Sequence, residues 1–130
     1  MAKLEKYAAP SVFNPPAYAQ AVKITGASTV IVLSGQVDYA PDGSVGNPRN
    51  FKAQAVASFK NVQAQIEAGG GTIADIARLN VYVTDMRYVG DYRAARLEVF
   101  GDLQVASTLV GVTELAHPDW MIEVEAIAVL

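Results

Sequence analysis

No cysteine occurs among the 130 residues, and histidine occurs once, as His117. The first absence removes disulfides, thiolate metal sites and a cysteine nucleophile. The second removes a multi-histidine metal centre within one chain. Charge is also scarce: 18% of residues are charged, against about 25% in an average soluble domain. The net charge is −3 and no basic run is present, so neither nucleic acid nor an anionic membrane surface is an electrostatically favoured partner. No apolar run approaches the roughly 18 residues of a membrane helix, and the first residues do not read as a signal peptide. The expectation is a cytoplasmic protein with no metal and no membrane partner. Common nucleophile and phosphate motifs are missing too. There is no Gly-x-Ser-x-Gly elbow, and "GGGT" at 69–72 lacks the lysine of a P-loop and follows a helix rather than opening one.

Apolar residues are abundant, at 52% of the chain. The length suits one domain, taken as residues 1–130. So much apolar surface exceeds what one small core needs, which predicts an oligomer that buries part of it between subunits.

The lead-in "AAPSVFNPPAYAQAV" reads as irregular and surface-packed, and "VKITGASTVIVLSGQV" as two strands around a turn at Gly26. "DYAPDGSVGNP" is a loop. Phe51, Ala55, Phe59, Val62 and Ile66 recur at helical spacing, predicting a helix from about Asn50 to Ala68 that the following glycines stop. "DIARLNVYVTD" is a strand, and a second helix is predicted over Tyr88–Phe100. "VASTLVGV" and "DWMIEVEAIAVL" are closing strands. The order β-β-α-β-α-β-β predicts an α+β fold, with two helices on one face of a single mixed sheet and another subunit on the opposite face.

The last strand sets Ile122, Val124, Ala126, Ala128 and Leu130 on one face, all apolar. Glu123 and Glu125 share the other face with Met121, Ile127 and Val129. Three readings fit such a carboxylate pair: a solvated face that blocks edge pairing, a structural ion pair, or a carboxylate with raised pKa that moves protons. Ser34 and Gly35 end an apolar strand, where a glycine either makes a turn or lets a ligand approach its amide. His117, beside a proline, reads as a surface histidine. Tyr18, Tyr88 and Tyr92 are packing residues or site walls.

"VLSGQV" at 32–37, "GGGTIADIARLNVYVTDM" at 69–86 and "ASTLVGVTELAHPDWMIEVEAIAVL" at 106–130 resemble the YjgF/Rid (reactive intermediate deaminase) family from about Tyr18 onward. The resemblance implies a chorismate-mutase-like fold, a homotrimer with its sheets in a central barrel, and sites in the clefts between subunits. It implies hydrolysis of enamines and imines, such as 2-imino acids, without metal or organic cofactor. Carried over by position, Glu123 orients or deprotonates water, Glu125 is structural, Tyr18 lines the cleft, and Ser34 and Gly35 face the substrate. The archetypal deaminases of the family carry an arginine that clamps the substrate carboxylate where this chain, like the members that lack the clamp, has another residue, Ser107 in "VAS". A serine carries no charge, so the substrate is expected to differ from the usual 2-imino acids. Arg93, where an asparagine is common, is either a relocated cation for the cleft or a solvated helix arginine. The leading expectation is an imine or enamine hydrolase acting on a small molecule. Its rival is a trimer that binds a metabolite without turning it over, as a sensor or partner of an enzyme complex. Ribonuclease or translation-inhibiting activity, attributed to some relatives, is opposed by the acidic net charge and the lack of a basic stripe.

Overall fold

The computed structural model describes residues 2–130. Its strands are β1 (Lys3–Tyr7), β2 (Ala21–Thr25), β3 (Val30–Val32), β4 (Ile76–Val83), β5 (Ala106–Gly111) and β6 (Ile122–Val129). Its α-helices are α1 (Phe51–Ala68) and α2 (Val89–Phe100). The main sheet runs β3-β6-β4-β5. β6 is antiparallel to both β3 and β4, while β4 and β5 are parallel and joined through α2. The fold is therefore mixed α+β, as expected.

The helices pack against one another and α1 against β6. Phe59 anchors this layer, with its ring 6.0 Å from Tyr92 and 5.1 Å edge-on to Phe100. Leu79, Val81 and Val83 of β4, with Ile122, Val124, Ala126 and Ala128 of β6, fill the space beneath. The period-two pattern of the last strand thus places its apolar row in the core. Both helix ends follow from local chemistry. The Asn50 side chain accepts from the Ala53 N–H at 3.1 Å, which caps the N-terminus of α1. At the other end Gly70 takes φ +95°. Its N–H donates to Glu67 O at 3.0 Å, and the Gly71 N–H to Ile66 O at 3.0 Å, the bond pair of a Schellman motif.

The single sheet expected from the sequence is corrected. β1, which the sequence pattern did not reveal, pairs with β2 in a separate antiparallel sheet. β2 and β3 flank a turn with Gly26 at φ +72°, but they do not pair. The Ser28 and Thr29 N–H groups both donate to Leu130 O, turning the chain onto β6. The apolar β6 offers β3 more burial than the half-exposed β2 does. The lead-in is less loose than expected: Ala19 is buried, and its N–H donates to Val105 O at the free edge of β5.

The sheet face away from the helices carries Val30, Val32, Val110 and Ile127 exposed, with Val32 at 72%. Arg78, Asn80, Tyr82, Glu123 and Glu125 lie on the same face.

Gly70 and Gly90 give opposite expectations, because a Cβ meets nothing within 4 Å at either position. Gly70→Ala is expected to destabilise by about 1 kcal/mol through backbone strain alone. Gly90→Ala, in the first turn of α2, is expected to stabilise by roughly 0.5–1 kcal/mol. Urea unfolding of the two variants checks both signs.

Candidate active site

β6 alternates strictly, so Glu123 and Glu125 project together from the face opposite α1 and α2, yet their surroundings differ. Glu125 Oε1 accepts from Tyr82 Oη at 2.7 Å and from Asn80 Nδ2 at 3.0 Å. Both donors come from β4, where Asn80 stands opposite Glu125 in register. The Tyr82 phenol is accordingly held above its usual pKa, first by this hydrogen bond. Glu125 is thus tied within the sheet.

The Glu123 carboxylate accepts no hydrogen bond from the described residues. Burial pushes its pKa up, and the neighbouring Glu125 charge adds to the shift. What lies against it is Gly35. A Cβ on Gly35 would sit 2.6 Å from Glu123 Cγ and overlap the carboxylate itself. This glycine is therefore a close-approach residue rather than a plain turn.

The backbone around Gly35 is irregular in a useful way. Leu33 N–H donates to Ala126 O and Gln36 N–H to Val124 O. Ser34 and Gly35 therefore bulge out against Glu125 alone, and their N–H groups donate to no described backbone acceptor. Gln36 Nε2 donates to Ser34 O at 3.0 Å and braces the bulge. A carboxylate able to hold water thus stands beside two free amide donors.

Tyr18, Arg93 and Ser107 gather elsewhere, in a cavity of about 570 Å³ also lined by Tyr92, Arg96, Leu97, Leu103 and Leu109. Ser107 stands beside Leu79 in the β4–β5 register, and Leu79 stands beside Ala126, so Ser107 faces the helix side of the sheet. Within one chain the residues expected to share a site form two groups on opposite faces: Tyr18, Arg93 and Ser107 on one, Ser34, Gly35 and Glu123 on the other.

Arg93 is exposed at the cavity rim. Arg96, which sequence reasoning overlooked, is half-buried in the same wall, and its Nη1 donates to Tyr92 Oη at 3.2 Å. The signal was present: Tyr92 and Arg96 are four apart in a helix, and Arg93 and Arg96 three apart, which puts them on neighbouring stripes. Tyr88 is a packing residue, stacked on Phe51 at 4.8 Å. His117 is exposed in the connection to β6, where its Nδ1 accepts from the Asp119 N–H at 3.0 Å.

Comparison with known proteins places these features in a lineage. The family model described as Endoribonuclease L-PSP matches residues 8–130. A 2-iminobutanoate/2-iminopropanoate deaminase of Escherichia coli is 33% identical over 124 residues, covering 93% of this chain and 91% of the relative. A RutC family protein of Pyrococcus horikoshii is 31% identical over 120 residues, covering 92% and 90% respectively. Among solved structures, a Rid-family protein of unknown function from Yersinia pestis superimposes with a TM-score of 0.84 at 24% identity, covering 99% of this chain and 98% of its own. That likeness shows the fold.

The raised pKa of Glu123 carries a pH signature. Well below the ordinary carboxylate range the group is protonated in both folded and unfolded chains, and Glu123→Gln gains nothing. As pH rises through the raised folded-state value, wild type gives up a proton that the fold favours, and its stability falls relative to the variant. Denaturant unfolding at several pH values is expected to show Glu123→Gln more stable at neutral pH, with the advantage vanishing in acid.

Proposed function

The chain belongs to the YjgF/Rid family, and on that premise we propose that it is an imine or enamine hydrolase. Its substrate would be a small molecule other than the usual 2-imino acids, because Ser107 leaves the family's clamp position uncharged. The observation that carries the proposal is the Glu123 carboxylate, raised in pKa and without a hydrogen-bond partner among the described residues, against Gly35 and beside the Ser34–Gly35 bulge, whose amides are unpaired among the same residues. A carboxylate poised nearer neutrality can both take and return a proton during turnover.

In this reading water adds to the carbon of the C=N bond while Glu123 takes one of its protons. The proton passes to the nitrogen, giving a carbinolamine. That intermediate loses ammonia and leaves a carbonyl compound, so one imine and one water become one ketone or aldehyde and one ammonia. Tyr18, Arg93 and Ser107 line the space for the rest of the substrate, and Ser107 leaves room for a bulkier group.

The assembly we propose is a homotrimer with its sheets forming a central barrel. Two features support it. Val30, Val32, Val110 and Ile127 leave the face away from the helices apolar and exposed, and large exposed apolar faces favour association. The two groups of site residues also lie on opposite faces of one chain, so a cavity from one copy must meet Glu123 from the next for them to work together. The rival reading, a trimer that binds ligand without chemistry, rests on the uncharged Ser107. Ribonuclease action gains no support from the net charge of −3 or from the solitary, loop-bound His117.

Two measurements test the proposal. With imines generated in situ from amino acids and from amines lacking a carboxylate, wild type is expected to accelerate hydrolysis, and Glu123→Gln to lose about 10²–10⁴-fold; full turnover by the variant would remove this mechanism. Light scattering is expected to give the mass of three chains. Co-refolding Glu123→Gln with Ser107→Trp, whose indole fills the cavity, is then expected to restore activity that neither variant has alone. No recovery would place the two groups in separate sites.

A further inference from the structure

Gln54 lies on the buried stripe of α1 with Phe51, Ala55, Ser58 and Phe59, and none of its surface is exposed. An apolar side chain there would avoid the cost of withdrawing an amide from water. The amide instead serves chain outside the helix. Its Nε2 donates to Asn47 O at 3.1 Å and to Asp119 O at 2.8 Å, and its Oε1 accepts from the Met121 N–H at 2.8 Å. Two carbonyls facing Nε2 and one N–H facing Oε1 fix the orientation of the amide. A carboxylate, which only accepts, would not serve all three, and an apolar side chain would serve none.

These bonds lead to the Glu123–Gly35 contact by two branches. Met121 is the residue before β6 and two before Glu123. Its O accepts from the Thr84 N–H at 3.1 Å, so its backbone is gripped at both polar groups. Asn47, on the other branch, donates through Nδ2 to Asp38 Oδ2 at 2.7 Å. Asp38 is buried, three residues after Gly35, and its O accepts from the Gly46 N–H and from Trp120 Nε1. The Trp120 bond closes the circuit, because Trp120 adjoins Met121.

We propose that Gln54 is a positioning residue for Glu123: it holds the strand end bearing the acid and, through Asn47 and Asp38, the chain bearing Gly35 at one separation, so that the carboxylate stays pressed against the glycine. It touches no reacting atom and acts through Met121 and Asn47. The role deepens the hydrolase reading, and rests on it only for the claim that turnover needs this placement. Glu125, Tyr82 and Arg78 are the titratable groups that the four strands set on the same sheet face as Glu123. None of them bonds to Gln54.

The test is a double-mutant cycle on the intact protein, read by urea unfolding at neutral and at acid pH. Glu123→Gln is expected to raise the urea midpoint of wild type at neutral pH. In the Gln54→Met background that gain is expected to vanish, because the loosened carboxylate reaches water, and in acid neither background shows a gain. Ile66→Val, near the far end of α1, is expected to lower the midpoint while leaving the gain intact, which separates positioning from loss of stability. Asn47→Ala removes the other branch at an exposed residue and is expected to shrink the gain as well; it decides the matter if Gln54→Met does not fold. A gain undiminished in Asn47→Ala, or in a folded Gln54→Met, overturns the positioning role. So does a gain lost equally in Ile66→Val, or absent from wild type. Imine hydrolysis supplies a second readout. Gln54→Met is expected to lower kcat about 10- to 100-fold with KM near that of wild type, since Gln54 is not part of the cavity wall. Coupling of Gln54 to Glu123 with no hydrolysis of any imine would remove the hydrolase reading and leave the positioning role. Glu123-dependent hydrolysis that Gln54→Met leaves at full rate would do the reverse.

Discussion

The contact between the Glu123 carboxylate and the bare Cα of Gly35 sets the terms for the rest of the structure. It exists because β6 sits between β3 and β4, so that every second residue is delivered to a defined place over its neighbours. One row of β6 closes the core beneath α1. The other row is held rigidly by that burial, which is how a carboxylate can be pressed against a neighbouring backbone without being expelled into water. Core packing on one face therefore fixes where the carboxylates of the other face stand.

The two carboxylates of β6 show how neighbouring groups of one type acquire different roles. Glu125 spends its acceptor capacity on Asn80 and Tyr82, and so joins β6 to β4. Glu123, two residues earlier and opposite Tyr82 in the register, meets the bulge instead and receives no donor among the described residues. Its negative charge is less welcome, because it is partly withdrawn from water and close to the charge of Glu125. The sheet thus holds one carboxylate in place and leaves the other available for a proton.

Much of this was legible from the chain alone. The helices were readable because Phe51, Ala55, Phe59, Val62 and Ile66 repeat with the helical period between clear end signals, and β6 because its alternation is unbroken. The family resemblance suggested roles for Glu123 and Gly35, but that the two lie against each other is seen only in the structure. β1 was not legible, because Lys3–Tyr7 alternates weakly and its partner lies beyond a long proline-rich connection. The separation of β1 and β2 from the main sheet was hidden for a related reason: it depends on Leu130 accepting from Ser28 and Thr29 across nearly the whole chain. Arg96 was missed because an arginine on an amphipathic helix usually faces water. Its place in one cavity wall with Tyr18 and Leu103, both outside the helix, is set by the fold.

The Glu123–Gly35 contact also constrains how such a chain can diverge. Any residue larger than glycine at position 35 requires the side chain at 123 to move or shorten, while glycine at 35 tolerates almost anything at 123. The order of change is therefore asymmetric: a side chain at 35 displaces the acid from its present place, whereas loss of the acid leaves glycine at 35 undisturbed. In a descendant of this chain, a side chain at position 35 would mark an acid at 123 already moved or replaced, whereas glycine there would tell nothing by itself.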